Sequence, residues 1–334
     1  MTDSVDRFGR RINYLRLSVT DRCNLRCLYC MPADGIPLIP QHEILSYEEI
    51  RTIVQAAAGL GISRVRLTGG EPLVRDQLPE LVGMLSGLEG IEELSLTTNG
   101  TLLKDYARRL KQAGLSRVNV SLDTLRADRF RRITRLGNLE DVLAGIRAAE
   151  DAGLHPVKVN TVVMRGINDG EIRDFARMTC EHGWHVRFIE LMPFGAAAGP
   201  VPSDEVLRHI GLLGKLEPAA SLAGNGPARY YRLAGAAGTI GFISPITGPS
   251  FCSRCNRMRL SPDGKLRACL LSGDETDLKA PLRNNASPAE LRRLILKVVA
   301  AKPERHHLEE GNATPLKIRG AGGVMNRNMS RIGG

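Results

Sequence analysis

Between residues 12 and 192 two hydrophobic patterns alternate along the chain: a short run dominated by Val, Ile and Leu, then a stretch whose apolar positions recur three and four apart. The runs predict strands over residues 14–19, 64–68, 93–98, 117–122, 157–163 and 186–190, with helices between them. Helix boundaries are legible too. Ser46-Tyr47-Glu48-Glu49 opens the first helix as a capping box, in which serine and glutamate satisfy backbone N–H groups left over at a helix start. Gly61, Gly114, Gly153 and Gly183 each stand shortly before a strand, where a left-handed residue closes a helix and reverses the chain.

Strands alternating with helices predict parallel βα units and an α/β fold. A complete eight-fold barrel uses roughly 250 residues. Six units in a shorter span therefore predict an incomplete (β/α)6 TIM-like barrel with an open side, while periodicity alone leaves a doubly wound sheet as the alternative. Residues 195–202 and 219–227 are rich in Gly, Ala and Pro, which sets a boundary between 195 and 230. The expected division is a barrel over 1–195, a transition over 196–230, and a smaller α+β domain over 231–334 that closes the open side. That domain has strand patterns at 230–233, 239–243 and 258–260. Its last helix is capped by Ser287, with Pro288 in the first turn and Glu290 completing the box. The helix carries Leu291, Leu294, Ile295, Val298 and Val299 as its apolar stripe and stops at Pro303.

Composition narrows the class. An apolar content of 43% is that of a soluble globular protein, and no window approaches the roughly 18 to 20 apolar residues of a membrane span. The N-terminus is polar and lacks a signal-peptide core, so the expected location is cytoplasmic, away from membranes. The net charge of +10 favours an anionic partner without identifying it. Only 4% of residues are aromatic and no basic run is interleaved with them, which argues against nucleic acid as that partner.

Candidate chemistry begins directly after the first strand pattern. Cys23-Asn24-Leu25-Arg26-Cys27-Leu28-Tyr29-Cys30 holds three thiols with x3 and x2 spacing. Three cysteines do not pair among themselves and seven in all is an odd number, which argues against a disulfide scaffold. Zinc ordinarily asks for four ligands. Thiolates in short spacings of this kind hold four-iron clusters, and three ligands leave one iron open to a small molecule. The motif, with an aromatic before its last cysteine, resembles the signature of the radical S-adenosylmethionine (SAM) enzymes.

Other motifs fall at the C-terminal ends of predicted strands, the rim on which barrels build active sites. They are Gly69-Gly70-Glu71-Pro72, Thr97-Thr98-Asn99-Gly100, Ser121-Leu122-Asp123 and Met192-Pro193. The resemblance implies that Gly70, Ser121 and Met192 contact SAM, with Tyr29 near its adenine. It also implies that the open iron chelates the methionyl group, and that an electron from the cluster breaks the sulfonium bond to leave an adenosyl radical.

A second cysteine set, Cys252, Cys255 and Cys269, has x2 and x13 spacing. By itself it fits zinc, with Cys180 or His306 as fourth ligand, as well as another open cluster. Cys180 lies in a helical pattern with Phe175, Ala176 and Met178, which predicts a buried, inert thiol. Two such sets, one near each end, resemble the MoaA family of GTP 3′,8-cyclases, which open molybdenum cofactor biosynthesis. The likeness extends through Phe8-Gly9-Arg10, residues 15–23, Arg187-Phe188-Ile189-Glu190, residues 256–261 and the terminal Gly333-Gly334.

That resemblance implies two [4Fe–4S] clusters and SAM as cofactors and GTP as substrate, with the base meeting the second cluster. The product is (8S)-3′,8-cyclo-7,8-dihydroguanosine 5′-triphosphate. Implied GTP contacts are Arg16, Arg66, Thr97, Lys158, Arg257, Met258 and Arg259; of these Arg16, Arg257 and Arg259, together with Gly333 and Gly334, are implied to serve catalysis. The chain has no Gly-x4-Gly-Lys-[Ser/Thr] loop, so side-chain cations must hold any triphosphate. The resemblance further implies an external electron donor and a cyclic pyranopterin monophosphate synthase downstream, with a monomer or homodimer left open. Arg187 is either a substrate contact or a charge balance, and His306 and His307 serve packing or proton transfer. Two other readings stand beside this one: a two-cluster radical SAM enzyme acting on a peptide, and a basic, metal-bearing nucleic-acid-binding protein.

Overall fold

The computed structural model describes residues 4–192, 198–220, 226–248, 250–306, 318–320 and 323–325. The first half is built as β1 (Tyr14–Ser18), α1 (Tyr47–Ala58), β2 (Arg64–Thr68), α2 (Leu78–Ser86), β3 (Glu93–Thr98), α3 (Leu103–Gln112), β4 (Arg117–Ser121), α4 (Ala127–Thr134), α5 (Leu139–Asp151), β5 (Lys158–Val163), α6 (Ile172–Glu181) and β6 (His185–Glu190). The second half adds α7 (Ser203–Gly211), β7 (Leu216–Pro218), β8 (Arg229–Leu233), β9 (Thr239–Ile243), β10 (Arg257–Leu260), β11 (Lys265–Arg267), β12 (Thr276–Asp277), α8 (Lys279–Arg283) and α9 (Pro288–Ala300).

Strands β1 to β6 lie side by side in chain order, all parallel. A doubly wound sheet reverses its order at a switch point. Here the order never reverses, so right-handed crossovers put every connecting helix on the same face. The C-terminal strands join both edges of this sheet: β10 pairs parallel with β1, and β9 pairs parallel with β6. Antiparallel β11 and β12 continue beyond β10, and β8 and β7 beyond β9.

Residues alternate between the two faces of each strand, and this alternation decides where the site lies. Leu15, Leu17, Val65, Leu67, Leu94, Leu96, Val118, Val120, Val159, Val186 and Phe188 are buried in one core. On the helix side they meet stripes such as Ile50, Ile53 and Val54 of α1 and Val142, Ile146 and Ala149 of α5. The opposite face carries Arg16, Arg66, Arg117, Lys158 and Arg187, one from each of five strands.

The expected helix ends form. Ser46 and Glu49 make the reciprocal capping box, and Gly61, Gly114, Gly153 and Gly183 have φ between 67° and 102°. Ser287 accepts from the Glu290 N–H at 3.2 Å, but the Glu290 carboxylate lies against Arg293 instead of closing the box. The stretch expected as a transition carries α7, whose Val206 and Ile210 are buried, as well as β7. Cys180 departs from its expected burial. The buried side of α6 is Ile172, Phe175, Ala176 and Thr179, which leaves Cys180 exposed and away from the cysteine sets. Among the described residues no helix is long and apolar enough to cross a membrane.

Candidate active site

A cavity of about 320 Å³ opens on the polar face of the sheet, and both cysteine sets line it. Cys23, Cys27 and Cys30 occupy the loop after β1. This loop folds on itself through the Cys30 N–H donating to the Cys27 carbonyl at 2.9 Å, and α4 holds it from outside: Arg26 and Leu28 donate main-chain N–H groups to Thr134 and Ile133, both at 2.9 Å. An amide relay ties it to the turn after β3. Asn99 Nδ2 donates to Asn24 Oδ1 at 2.8 Å, and Asn24 Nδ2 donates to Thr101 Oγ1 at 2.9 Å. Glu71 anchors that turn by accepting from Asn99 N–H at 2.6 Å, Thr98 Oγ1 at 2.8 Å and Leu73 N–H at 3.0 Å; burial pushes its carboxyl up to about 7.

Gly70 sits where the glycine motif meets the cysteine loop. Its N–H donates to the Thr20 carbonyl at 2.9 Å, and a Cβ there would stand 2.3 Å from the Arg22 carbonyl oxygen. Backbone cannot yield as a flexible side chain does. Gly70→Ala is therefore expected to cost about 1–3 kcal/mol, seen as a lowered melting temperature. An unchanged melting temperature would show that the glycine loop and the cysteine loop part without cost.

Tyr29 lines the same end. Its hydroxyl donates to Asp123 Oδ2 at 2.8 Å, while Asp123 Oδ1 accepts from Val162 N–H at 2.8 Å. Burial pushes Asp123 up to about 6 and the Tyr29 phenol well above its ordinary range. Ser121 and Met192 are also on the cavity wall.

Cys252, Cys255 and Cys269 line the other end. Arg10 fixes the loop of Cys252 and Cys255 by donating to the Cys252 carbonyl at 2.8 Å and to the carbonyls of Pro303 at 2.6 Å and Glu304 at 2.9 Å. Lys302 Nζ donates to the carbonyls of Arg257 at 2.7 Å and Ala268 at 2.5 Å. The two thiol sets differ electrostatically. Burial pushes Cys23 up to about 11, and Cys27 well above the thiol range. Burial also opposes the Cys255 thiolate, yet Arg257 and Lys302 outweigh it and hold that thiol down at about 6. Among the described residues no three His, Cys, Asp or Glu side chains converge to hold one metal ion. Thiol trios spread around a cavity suit a cluster, whose thiolates bind separate irons, better than one tetrahedral zinc.

Between the two ends stand seven cations: Arg16, Arg66, Arg117, Lys158, Arg187, Arg257 and Arg259. Their crowding follows from the register, which sets Arg16 opposite both Arg66 and Arg259. Like charges opposed across strands are destabilising. Burial, followed by Arg187, Arg117 and Arg66, lowers Lys158 to about 6, and burial brings Arg66 and Arg259 to about 10. Several polar atoms facing this space have no hydrogen-bond partner among the described residues: Thr97 Oγ1, Asn160 Oδ1, Arg187 Nε, and Nε and Nη1 of Arg117. Buried polar groups are nearly always paired, so the cavity's chemistry asks for an anionic, hydrogen-bonding ligand.

Of the residues named from sequence, all six cysteines, Tyr29, Gly70, Ser121, Met192, Arg16, Arg66, Thr97, Lys158, Arg257 and Arg259 line this cavity. Met258 does not. It lies between Arg257 and Arg259 on β10, so the two-residue period turns its side chain into the core, and only its main chain is left for a substrate. His307, Gly333 and Gly334 lie outside the described residues. Sequence reasoning missed Arg117 and Asn160 and left Arg187 undecided. The alternation Arg117-Val118-Asn119-Val120-Ser121 carried the signal, since polar groups on the face opposite buried valines must share the cavity side.

Two family descriptions divide the chain: Radical SAM superfamily over residues 17–179 and Molybdenum Cofactor Synthesis C over residues 184–308. GTP 3′,8-cyclases of Pelotomaculum thermopropionicum and Moorella thermoacetica are 55% and 54% identical to it, over 98% of this chain and 99% of each relative. In fold the chain is similar to the crystal structure of Streptococcus suis SuiB bound to S-adenosylmethionine. That likeness has a TM-score of 0.58 and 13% identity, and it covers 85% of this chain and 67% of the other.

Proposed function

Because the chain belongs to the GTP 3′,8-cyclase family of the radical SAM superfamily, we propose that its cavity holds SAM at the first cysteine set and GTP between the two sets, joining C3′ of the ribose to C8 of the base. Cys23, Cys27 and Cys30 hold one four-iron cluster, and Cys252, Cys255 and Cys269 hold a second. When bound, the first cluster and SAM together supply the hydrogen-abstracting radical. Every other task falls to side chains of this protein.

The observation that carries this reading is the run of seven cations between two thiol trios in one cavity. Arginine forks match phosphate oxygens with charge-assisted bonds. Arg16, Arg66, Lys158, Arg257 and Arg259 therefore take the triphosphate, with Arg117 and Arg187 added from the same face and Thr97 Oγ1 as a further donor. Gly70, Ser121, Met192 and the Tyr29 pair with Asp123 fix SAM. The core face of the sheet excludes water from behind. By the family likeness Gly333 and Gly334 serve catalysis, an external donor provides the electron, and a cyclic pyranopterin monophosphate synthase takes the product. Seven free thiols support a reducing, cytoplasmic setting.

Anaerobic turnover with SAM, a reductant and each nucleotide tests this directly. GTP is expected to stimulate release of 5′-deoxyadenosine and to yield the cyclised triphosphate, on protein holding about eight irons per chain. Stimulation by ATP to the same extent, or none by GTP, would overturn the substrate assignment. Salt-sensitive RNA binding without SAM cleavage would favour the nucleic-acid reading instead.

A further inference from the structure

We propose that His306 reads the base: its Nδ1 is the hydrogen-bond acceptor for a donor on the Watson–Crick edge of guanine, and this contact separates GTP from ATP. The inference rests on the proposed GTP site and adds the residue that selects the nucleotide there.

Its main chain is fixed beside the second thiol trio. Arg10 grips the carbonyls of Pro303 and Glu304 as well as that of Cys252, and the His306 N–H faces the Cys252 sulfur. The ring is fixed as well. His306 Nε2 stands 2.8 Å from the Pro245 carbonyl oxygen. A carbonyl only accepts, so Nε2 carries the proton. With the proton on Nε2, Nδ1 is the ring nitrogen left to accept. That atom is buried and has no hydrogen-bond partner among the described residues, and the residue lines the cavity. An acceptor buried without a partner is costly, and a ligand donor relieves it.

The rest of the cavity makes this acceptor distinctive. Between the trios the wall is mainly cationic and donates, which suits phosphates, and its own acceptors lie among those cations. The carboxylates near the first trio are engaged, Asp123 with Tyr29 and Val162 and Glu71 with Thr98, Asn99 and Leu73. Thr97 Oγ1 and Asn160 Oδ1 sit on β3 and β5, in the cationic wall. Guanine turns N1–H and its 2-amino group toward a partner, where adenine presents a bare N1. Two acceptors facing each other repel. A site built around such a hydrogen bond rejects the analogue that lacks the donor. His306 as a fourth metal ligand is the competing role, but the ring and the thiols do not converge on one ion among the described residues.

The test uses the full chain with both clusters reconstituted, iron counted, and dissociation constants for GTP and ATP measured on the wild type and on His306→Phe, His306→Leu and His306→Asn. Removing the acceptor is expected to weaken GTP about tenfold without weakening ATP, which also loses the repulsion at its N1, so that selectivity falls by at least the same factor. His306→Asn, whose amide oxygen lies at about the reach of Nδ1, is expected to recover most of it. Unchanged selectivity in both removal variants overturns the proposal. So does equal weakening of the two nucleotides, or loss of iron from both removal variants, since each marks a structural role. If the wild type itself neither prefers GTP nor cleaves SAM in response to it, the site assignment has failed before His306 is in question.

Discussion

Cys252→Ala is expected to separate radical formation from nucleotide chemistry. The variant keeps SAM cleavage at the slow, nucleotide-independent level and loses the cyclised product by about a thousandfold or more, whereas Cys27→Ala loses both activities. In each case iron falls from about eight to about four per chain. The two thiol sets belong to different loops, the first after β1 and the second shared between the loop before β10 (Cys252, Cys255) and the loop after β11 (Cys269), and are anchored by different residues. Arg10 binds the carbonyl of Cys252 and not its sulfur, and Lys302 holds the carbonyls of Arg257 and Ala268, so removing one thiol leaves the second loop's main-chain anchors in place. The first loop is held by α4 and by the Asn99 and Asn24 relay, neither of which touches the second set. Iron analysis, deoxyadenosine release and product formation on the same preparations decide the matter. Cyclised product from Cys252→Ala at more than a tenth of the wild-type rate would mean that the second trio does not hold the substrate's partner.

The different thiol environments bear on assembly of these sites. A thiol held near 6, as Cys255 is, is already largely thiolate at neutral pH, whereas Cys23 at about 11 must lose its proton to the incoming metal. The cations that lower Cys255 are not dedicated to it: Arg257 also lines the cavity, and Lys302 also pins the ends of β10 and the Cys269 loop.

How much of this was legible in sequence follows from what is local. Strand and helix alternation, caps at Ser46 and Ser287, and both cysteine sets depend on spacings of a few residues and reappear in the structure. Pairing at the sheet edges does not. Nothing near residues 239–243 or 257–260 says that one strand will extend β6 and the other β1, because those partners are tens to hundreds of residues away. Phase was the other loss. Arg257-Met258-Arg259 reads as one motif along the chain, but a strand sends its middle residue to the opposite face. The same rule, applied to β4 and β6, would have added Arg117 to the cavity and placed the undecided Arg187 there as well. Only the assembled sheet shows seven cations sharing one space, and that crowding is what perturbs Lys158.

Binding of GTP is expected to draw one proton from solution, and Lys158 is where it goes. In the free protein, burial and the neighbouring Arg187, Arg117 and Arg66 lower this amine to about 6, against only a partial opposing effect of Glu93. At pH 8 it is therefore almost wholly neutral. A triphosphate beside it reverses the balance and favours the ammonium form, so the complex binds a proton that the free protein lacks. Affinity for GTP should then fall as pH rises above about 6, by up to about tenfold per unit, until the raised value in the complex is passed. Burial and then Arg259 also lower Arg16 well below its ordinary range, and the Lys158→Met variant, which keeps Arg16, separates the two. Arg66 and Arg259, at about 10, remain charged; His185, lowered to about 4 by burial and then Lys158, remains neutral; and the phosphates are already ionised, their last step lying near 6. Without ligand the same depression acts on folding in the opposite sense: the unfolded chain binds the proton more readily, so Lys158 makes the free protein more stable as pH rises from about 6 toward 10.5. Titration calorimetry at pH 8 in buffers of different ionisation heat counts the protons. About one taken up per GTP is expected for the wild type and close to none for Lys158→Met, which also binds GTP more weakly. Absence of uptake in the wild type would mean that Lys158 does not meet the triphosphate.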